Sequence, residues 1–392
     1  MTSTYLVTVS GLDRVGVGGE LFAALAALEA SGATLRDVAQ ITIRGSLVLC
    51  AEVAVEGACG VSEIEAALAT RHIMGEGITV SVEPVVESES GEGRRLLVTL
   101  LASQIVASQL AGVFAAIARA GATCERIVHL AAYPVDCYEL VVRGPDHDEL
   151  RVGLTDAAAA TGLDLAVQRA GLHRRAKHLV VMDADSTLLR DEVIDLLAEA
   201  CGRAEEVSAI TAAAMAGELD FSQSLRARVA LLEGLPASVL DDVRAKLRLT
   251  PGARTLLRTL SRLGYVAAVV SGGFVEVLEP LLAELGVPYL AANRLEIVDN
   301  VLTGRLVGEI VDRAGKAAAL ERFAAEVGVP LEQTVAVGDG ANDIDMISVA
   351  GLGIAFNAKA VVREHADAAL SVPYLDAVLY FLGISREEIE AT

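Results

Sequence analysis

The segment His178-Leu179-Val180-Val181-Met182-Asp183-Ala184-Asp185-Ser186-Thr187 decides how the second half of this chain is read. An apolar run of one buried strand's length stops abruptly at two carboxylates. That places the acids at the carboxyl edge of a sheet, where open α/β folds bind their ligands. Two adjacent acids closing an apolar run are costly unless a cation or phosphate chemistry compensates them. Taken alone, the pair also fits a helix cap beside a solvated acid.

Further along, Val266-Ala267-Ala268-Val269-Val270 predicts a second buried strand leading into Ser271-Gly272-Gly273. A hydroxyl and free backbone N–H groups at a helix start suit phosphate oxygens. Lys316, behind Asp312-Arg313-Ala314-Gly315, opens another helix and brings a positive charge. Thr334 to Val337 predicts a third buried strand, ending in Gly338-Asp339-Gly340-Ala341-Asn342-Asp343. Four such polar elements in one half of the chain do not assemble by chance.

In order and type, these elements resemble the four motifs of the haloacid-dehalogenase superfamily of phosphotransferases, over roughly residues 177 to 371. The resemblance implies an α/β fold with a Rossmannoid parallel sheet and an inserted helical cap. It implies that Asp183 is the nucleophile that forms an aspartyl phosphate. Asp185 would be general acid and then general base. Ser271 and the Gly272 backbone would hold phosphoryl oxygens, with Lys316 offsetting charge. Mg²⁺ would be bound by Asp183, the Asp185 backbone carbonyl and Asp339, an oxygen-only set suited to a hard cation. Asn342 and Asp343 would fix Lys316 or outer waters, with Asn342 also close to substrate. Dehalogenases of the superfamily lack the second aspartate, so Asp185 favours phosphate chemistry.

About eighty residues separate Asp185 from Ser271, far more than a βα connection needs, and 189 to 249 is helix-patterned, which predicts a cap closing over the site. Within it, Glu192, Met215, Phe221 and Arg228 are similar in type and spacing to cap residues of the phosphoserine phosphatases of the superfamily. That resemblance implies that Glu192 takes the ammonium of phosphoserine, Arg228 its carboxylate, and that Met215 and Phe221 shield the phosphoester. Without it, Met215 and Phe221 read as core and Glu192 and Arg228 as a solvated face.

Toward the N-terminus, FAALAALEASGAT (Phe22 to Thr34) recurs loosely as FAAIARAGAT (Phe114 to Thr123). Each follows a β-type run and precedes a strand–strand–helix–strand pattern. Two βαββαβ units are predicted, over 1–88 and 92–172, ahead of a catalytic part over 176–392. The polar stretch Glu87 to Gly93 reads as a linker, and His173 to Lys177 as a second, basic joint. The element order, the Gly-Ala-Thr and the loop Gly11-Leu12-Asp13-Arg14-Val15-Gly16 resemble the ferredoxin-like ACT domain, a module that often binds amino acids. The resemblance implies effector contacts at Asp13 and Gly16, L-serine as effector and a homodimer. The plainer alternative is that Asp13 caps the helix. The second unit lacks the aspartate and is expected to keep packing without ligand contact.

Composition sets the outer limits. Thirty-two Lys and Arg against fifty-three Asp and Glu give a net charge of −21, which repels nucleic acid. With 53% hydrophobic and 22% charged residues the chain is globular, and 4% aromatics without Trp leave little for base stacking. Cys50, Cys59, Cys124, Cys137 and Cys201 show neither disulfide nor zinc spacing. The start, MTSTYLVTVSGLDRVG, lacks a basic n-region, so a cytoplasmic location is expected. Leu96 to Ala118 carries no charge, but Ser103, Gln104, Ser108 and Gln109 argue for a strand, a loop and a soluble helix over a membrane span. The resemblances together imply a magnesium-dependent phosphoserine phosphatase. The alternatives are a phosphatase of this fold acting on another small phosphorylated metabolite, and an amino-acid sensor in which the α/β part is a partner module.

Overall fold

The computed structural model describes residues 2–56, 60–70, 77–85, 94–144, 147–171, 174, 176–215 and 218–391. The chain divides into two compact units, Met1–Gly91 and Glu92–Thr392.

In the first unit, β1 (Thr2–Leu12), β2 (Ala33–Ile43), β3 (Ser46–Glu56) and β4 (Ile78–Pro84) form an antiparallel sheet in the order β2-β3-β1-β4. Helices α1 (Val17–Ala26) and α2 (Val61–Ala69) complete the expected βαββαβ order. Period-two alternation puts Val7, Val9, Leu49, Ala51 and Val53 on one face, against Leu21, Leu25, Ile64 and Leu68. α1 stops at Ala26, and Glu29–Ser31 after it tightens into a 3₁₀ turn.

The second unit opens with the same arrangement: β5 (Arg94–Ala102), α3 (Ala107–Arg119), β6 (Thr123–Ala131), β7 (Asp136–Gly144), α4 (His147–Thr161) and β8 (Asp164–Arg169). The uncharged stretch 96–118 is thus a strand, a loop and a helix, and among the described residues no helix is long and apolar enough to cross a membrane. Across the expected boundary between 172 and 176, Ala166 of β8 pairs with Ala368 of β15 (Ala368–Leu370), so that one 11-stranded sheet includes the strands on both sides of it. Gln168 Nε2 donates to the Phe381 carbonyl at 2.8 Å, and Leu101, Val135 and Cys137 share a core with Tyr380 and Phe381.

Of the basic residues of the segment, Arg174 and Lys177 are described, and both are buried. Arg174 is ion-paired with Glu139, and the Lys177 ammonium donates to the Glu332 carbonyl. Burial pushes the Lys177 ammonium down to about 8. Residues 172, 173 and 175, and the linker 86–93, lie outside the described residues, as does Cys59; Cys50, Cys124, Cys137 and Cys201 are free.

In the α/β part, β9 (Leu179–Met182) lies between β10 (Val266–Phe274) and β13 (Thr334–Gly338), all parallel and buried. Beyond them lie β14 (Gly353–Phe356) and β15 on one side, and β11 (Tyr289–Val298) with β12 (Val301–Val307) on the other. Register does the positioning. Met182 pairs with both Val269 and Val337, so Asp183, Ser271 and Asp339 leave their strands at one level.

The cap comprises α5 (Val193–Ala200), α6 (Ala204–Met215), α7 (Phe221–Ala230) and α8 (Val239–Arg244). Its entry and exit are zipped together by a Leu189–Leu249 bridge and by the Arg190 amide on the Arg248 carbonyl at 2.9 Å. The β11–β12 hairpin, which the sequence reading did not foresee, grips its far end: the amides of Gly234 and Ala237 donate to the Leu302 and Asn300 carbonyls, both at 2.9 Å.

The shared sheet gives a stability test. A protein beginning at Arg94 should keep one cooperative thermal transition near that of the full chain's second unit. One beginning at 176 bares the β15 edge and the face of Tyr380 and Phe381, and its Tm should fall by more than about 10 °C. Equal Tm values in differential scanning calorimetry would mean that β8 and its neighbours contribute nothing to the α/β part.

Candidate active site

At the end of β9 the backbone does not simply curl into solvent. Asp183 accepts the Ala184 amide at 2.8 Å, Asp185 stays extended, and Ser186 turns left-handed at φ 58°. This tight turn aims both carboxylates into one cavity. Lys316, in the first turn of α9 (Arg313–Val327), is fully buried, with Nζ 2.8 Å from Asp183 Oδ1 and 2.6 Å from Asp343 Oδ1. Its helix is started by Asp312, whose Oδ1 takes the Gly315 amide at 2.9 Å.

Both oxygens of Asp343 are engaged. Its Oδ2 accepts the amides of Asp339 and Gly340 at 3.1 and 2.9 Å, which folds the Gly338–Asp343 turn around it. Gly338 is obligatory here, because a Cβ would lie 2.5 Å from Asp343 Cγ. Asp339 Oδ1 accepts the Thr187 hydroxyl at 2.9 Å, and Thr187 is held in turn by the Thr250 hydroxyl on its carbonyl at 2.6 Å. Ser271 Oγ donates to Asp185 Oδ2 at 3.3 Å and accepts the Gly273 amide at 2.8 Å. Asp185 Oδ1 takes the Val193 amide at 2.9 Å, tying the catalytic turn to the first cap helix.

From the cap, Glu192 Oε1 accepts the Ser186 hydroxyl at 2.9 Å, and Arg228 Nε donates to the Ser224 carbonyl at 3.4 Å. Phe221 reaches the opposite wall: its Cζ lies 3.2 Å from where a Cβ on Gly272 would stand. Asp183, Asp185, Glu192, Phe221, Arg228, Gly272, Asp339 and Asn342 line a single cavity of about 440 Å³. Ser271, Lys316 and Asp343 stand behind it. Met215 closes α6, and its side chain lies outside the described residues.

The sequence reading passed over Ser224 and Leu225, which share the cavity-facing side of α7 with Phe221 and Arg228. The spacing 221, 224, 225, 228 was the available signal. It also passed over Thr187 and Asn293. At the N-terminal loop, Gly16 rather than Asp13 caps α1, in the left-handed region at φ 100°, and Asp13 Oδ2 instead accepts the Thr42 hydroxyl at 3.5 Å.

The electrostatics are dominated by buried negative charge. Burial, followed by Asp343, holds the Asp183 carboxyl well above the usual range, with Lys316 opposing. Burial and then Glu192 push Asp185 up to about 7, and burial with Asp343 pushes Asp339 up to about 6. For Lys316, burial pulls downward, but the Asp183 and Asp343 carboxylates outweigh it and hold the ammonium charged. Carboxylate oxygens of Asp183, Asp339 and Asp343 lie within 4.8 Å of one another, an all-oxygen set that fits a hard divalent cation.

Comparison with known proteins agrees with this geometry. The haloacid dehalogenase-like hydrolase model matches residues 180–348, and ACT domain models match 3–82 and 96–168. A phosphoserine phosphatase of Streptomyces coelicolor is 54% identical over 394 residues, covering 99% of this chain and 94% of that protein. The chain belongs to the phosphoserine phosphatases. A second member, from Mycobacterium tuberculosis, is 48% identical over 398 residues, covering 98% of this chain and 94% of that protein. Among solved structures, a substrate-bound phosphoserine phosphatase complex is 44% identical with a TM-score of 0.50, covering 52% of this chain and 98% of that one. A haloacid dehalogenase family hydrolase of Salmonella enterica is 29% identical with a TM-score of 0.65, covering 74% and 99%. In this phosphoserine phosphatase, two ACT domains precede a haloacid dehalogenase-type catalytic part.

The raised carboxyls make stability depend on pH. A folded-state value of about 7 for Asp185, against an ordinary value near 4, means that the folded protein binds the extra proton between those limits. Without metal, stability should therefore fall as pH rises from about 4 to about 7. Asp185→Asn should flatten that slope. A divalent cation should raise Tm more at pH 7.5 than at pH 5, as thermal denaturation with and without chelator would record. A metal-free Tm that rises across this window would contradict the assignment.

Proposed function

We propose that this protein hydrolyses O-phospho-L-serine to L-serine and phosphate with Mg²⁺ as its cation, in the cytoplasm, and that L-serine controls it. The observation that carries the substrate is the distribution of charge around one cavity. Asp183 and the Ser271–Gly273 turn mark the phosphate end, while Glu192 and Arg228 offer an anion and a cation on the cap side. An ester bearing both an ammonium and a carboxylate complements that pair.

Asp183 attacks phosphorus, and the bond to the serine oxygen breaks as Asp185 gives that oxygen its proton. Asp185, now ionised, takes a proton from water, and the resulting hydroxide attacks the aspartyl phosphate, releasing phosphate and restoring Asp183. A carboxyl held at about 7 serves both halves near neutral pH, because neither protonation state is rare. Ser271 and the amides that follow it hold phosphoryl oxygens, and Lys316 favours the ionised form of Asp183 against burial and holds it in place. Asp183, Asp339 and the Asp185 carbonyl would hold Mg²⁺, which when bound supplies charge neutralisation at the phosphoryl group. Asp343 is engaged by Lys316 and two amides, which suits holding the site together rather than ligating. Phe221, over Gly272, excludes water from the ester.

Asp183→Asn should abolish turnover, by about 10⁴-fold or more, with an unchanged fold. Arg228→Ala should raise KM for phosphoserine sharply while hardly altering hydrolysis of a phosphoester that lacks a carboxylate. Equal losses on both substrates would mean that Arg228 does not read the carboxylate and would remove the support for phosphoserine. A panel of phosphomonoesters scored by turnover decides the substrate directly.

For control, the left-handed Gly16 heading α1 leaves amides free for a carboxylate, and Asp13 beside it suits an ammonium. L-serine binding there, between protomers of a homodimer, has to favour a less active arrangement to have any effect. Asp13→Ala should relieve serine inhibition and leave uninhibited turnover near normal. Inhibition unchanged in this variant would assign the effect to product competition at Asp183.

A further inference from the structure

The strand ladder of β10 is broken where the chemistry lies. β10 and β11 pair regularly through Val270 and Ala291, and then the register shifts to Phe274 and Asn293. Residues 271–273 drop out of the ladder so that Gly272 and Gly273 line the cavity, with the buried Ser271 hydroxyl behind it on Asp185. The carbonyl of Gly272 is thereby left without a strand partner at the half-buried cavity wall, where an unpaired acceptor is costly.

Asn293 fills the gap. Its side chain is 1% exposed, Nδ2 donates to the Gly272 carbonyl at 2.8 Å, and Oδ1 accepts the Val311 amide at 2.9 Å. One partner is a pure acceptor and the other a pure donor, so the amide has a single satisfactory orientation. Val311 immediately precedes Asp312, which caps the helix carrying Lys316. A single buried amide thus sets the tilt of the Gly272 peptide and anchors the start of the Lys316 helix, without itself lining the cavity.

We propose that Asn293 is a positioning residue for phosphoryl transfer: it fixes the Gly272 peptide, and with it the phosphate-facing turn, relative to Lys316. This rests on the phosphatase reading of the site but not on which phosphoester is used. Misplacing oriented groups by an ångström costs up to about a hundredfold in rate, and support behind them about ten- to a hundredfold.

The test uses the full chain with Mg²⁺. Asn293→Asp keeps the acceptor for Val311 and replaces the donor by an oxygen facing the Gly272 carbonyl; Asn293→Leu removes both. Turnover is measured with phosphoserine and with p-nitrophenyl phosphate, alongside competition by inorganic phosphate and Tm. At pH 8 both variants should lose about tenfold or more in kcat on either ester, and phosphate should compete about tenfold less well. Activity of Asn293→Asp relative to the unsubstituted protein should climb as pH falls to 6, because a protonated carboxyl again donates to Gly272. Wild-type-like kcat and phosphate competition in Asn293→Asp, or a loss explained by a lowered Tm with no pH-dependent recovery, would overturn the proposal. If the unsubstituted protein ignored phosphoserine but hydrolysed p-nitrophenyl phosphate, the substrate reading would fall while the Asn293 comparison still decided its own question.

Discussion

The contact on which the rest of the site depends is that of one buried ammonium with two buried carboxylates. Lys316 lies between Asp183 and Asp343, and none of the three is more than 4% exposed. One positive charge cannot balance these two acids together with Asp185 and Asp339, so the site carries uncompensated negative charge in a poorly solvated place. The raised carboxyls and the fit to a hard cation both follow from that imbalance. So does the glycine pattern of the last motif, since Asp343 can reach Lys316 and two amides only if nothing projects from Gly338. The apolar sheet around it makes such an arrangement costly, and it persists because the ammonium and carboxylates are paired, hydrogen-bonded and held in a closely packed frame.

That frame comes from register. With Met182 opposite both Val269 and Val337, three chain segments from distant parts of the sequence exit at the same height. Each then departs from regular structure in its own way: a left-handed Ser186, a dropped ladder at 271–273, and a turn wound on Asp343. The cap is added without loosening this edge, because its two connections are hydrogen-bonded to one another and Thr250 reaches down to Thr187 beside Asp339. Cap and metal-facing edge are thus linked by short polar bridges at the root, while the β11–β12 hairpin holds the far end.

The motifs were legible in the sequence because each is a burst of polar residues ending an apolar run, a local pattern that survives without knowledge of tertiary structure. Glu192, Phe221 and Arg228 were legible only through family spacing, since on a helix they look like any amphipathic face. Asn293 was not, because an asparagine in Leu290-Ala291-Ala292-Asn293-Arg294 reads as a loop residue, and its purpose exists only once residues 271–273 have left the ladder. The hairpin was missed although Asp299 and Asn300, with φ 48° and 65°, make the two-residue turn between Val298 and Val301 that such residues favour. The fusion of sheets was hidden for a different reason. It rests on one β8–β15 bridge, on apolar residues far apart in the chain, and on the hydrogen bond of the Gln168 side chain to the Phe381 carbonyl.

The two ACT domains share a topology and spend their sheet faces differently. In the second, Leu101, Leu130, Val135 and Cys137 pack against the C-terminal segment around Tyr380 and Phe381, so its open face is consumed by the catalytic part. A rigid-body shift of this domain would have to break a continuous sheet and a buried ion pair between Arg174 and Glu139, and packed cores resist such sliding until they switch outright. The loop after β5, Ala102 to Val106, also lacks the aspartate of the first domain, which agrees with a structural role. The first domain bears its own core and leaves Leu35, Ile41 and Ile43 on β2 between 51% and 61% exposed. The missing aspartate and the burial of the sheet face therefore fall on the same domain, the one whose sheet is continuous with that of the catalytic part.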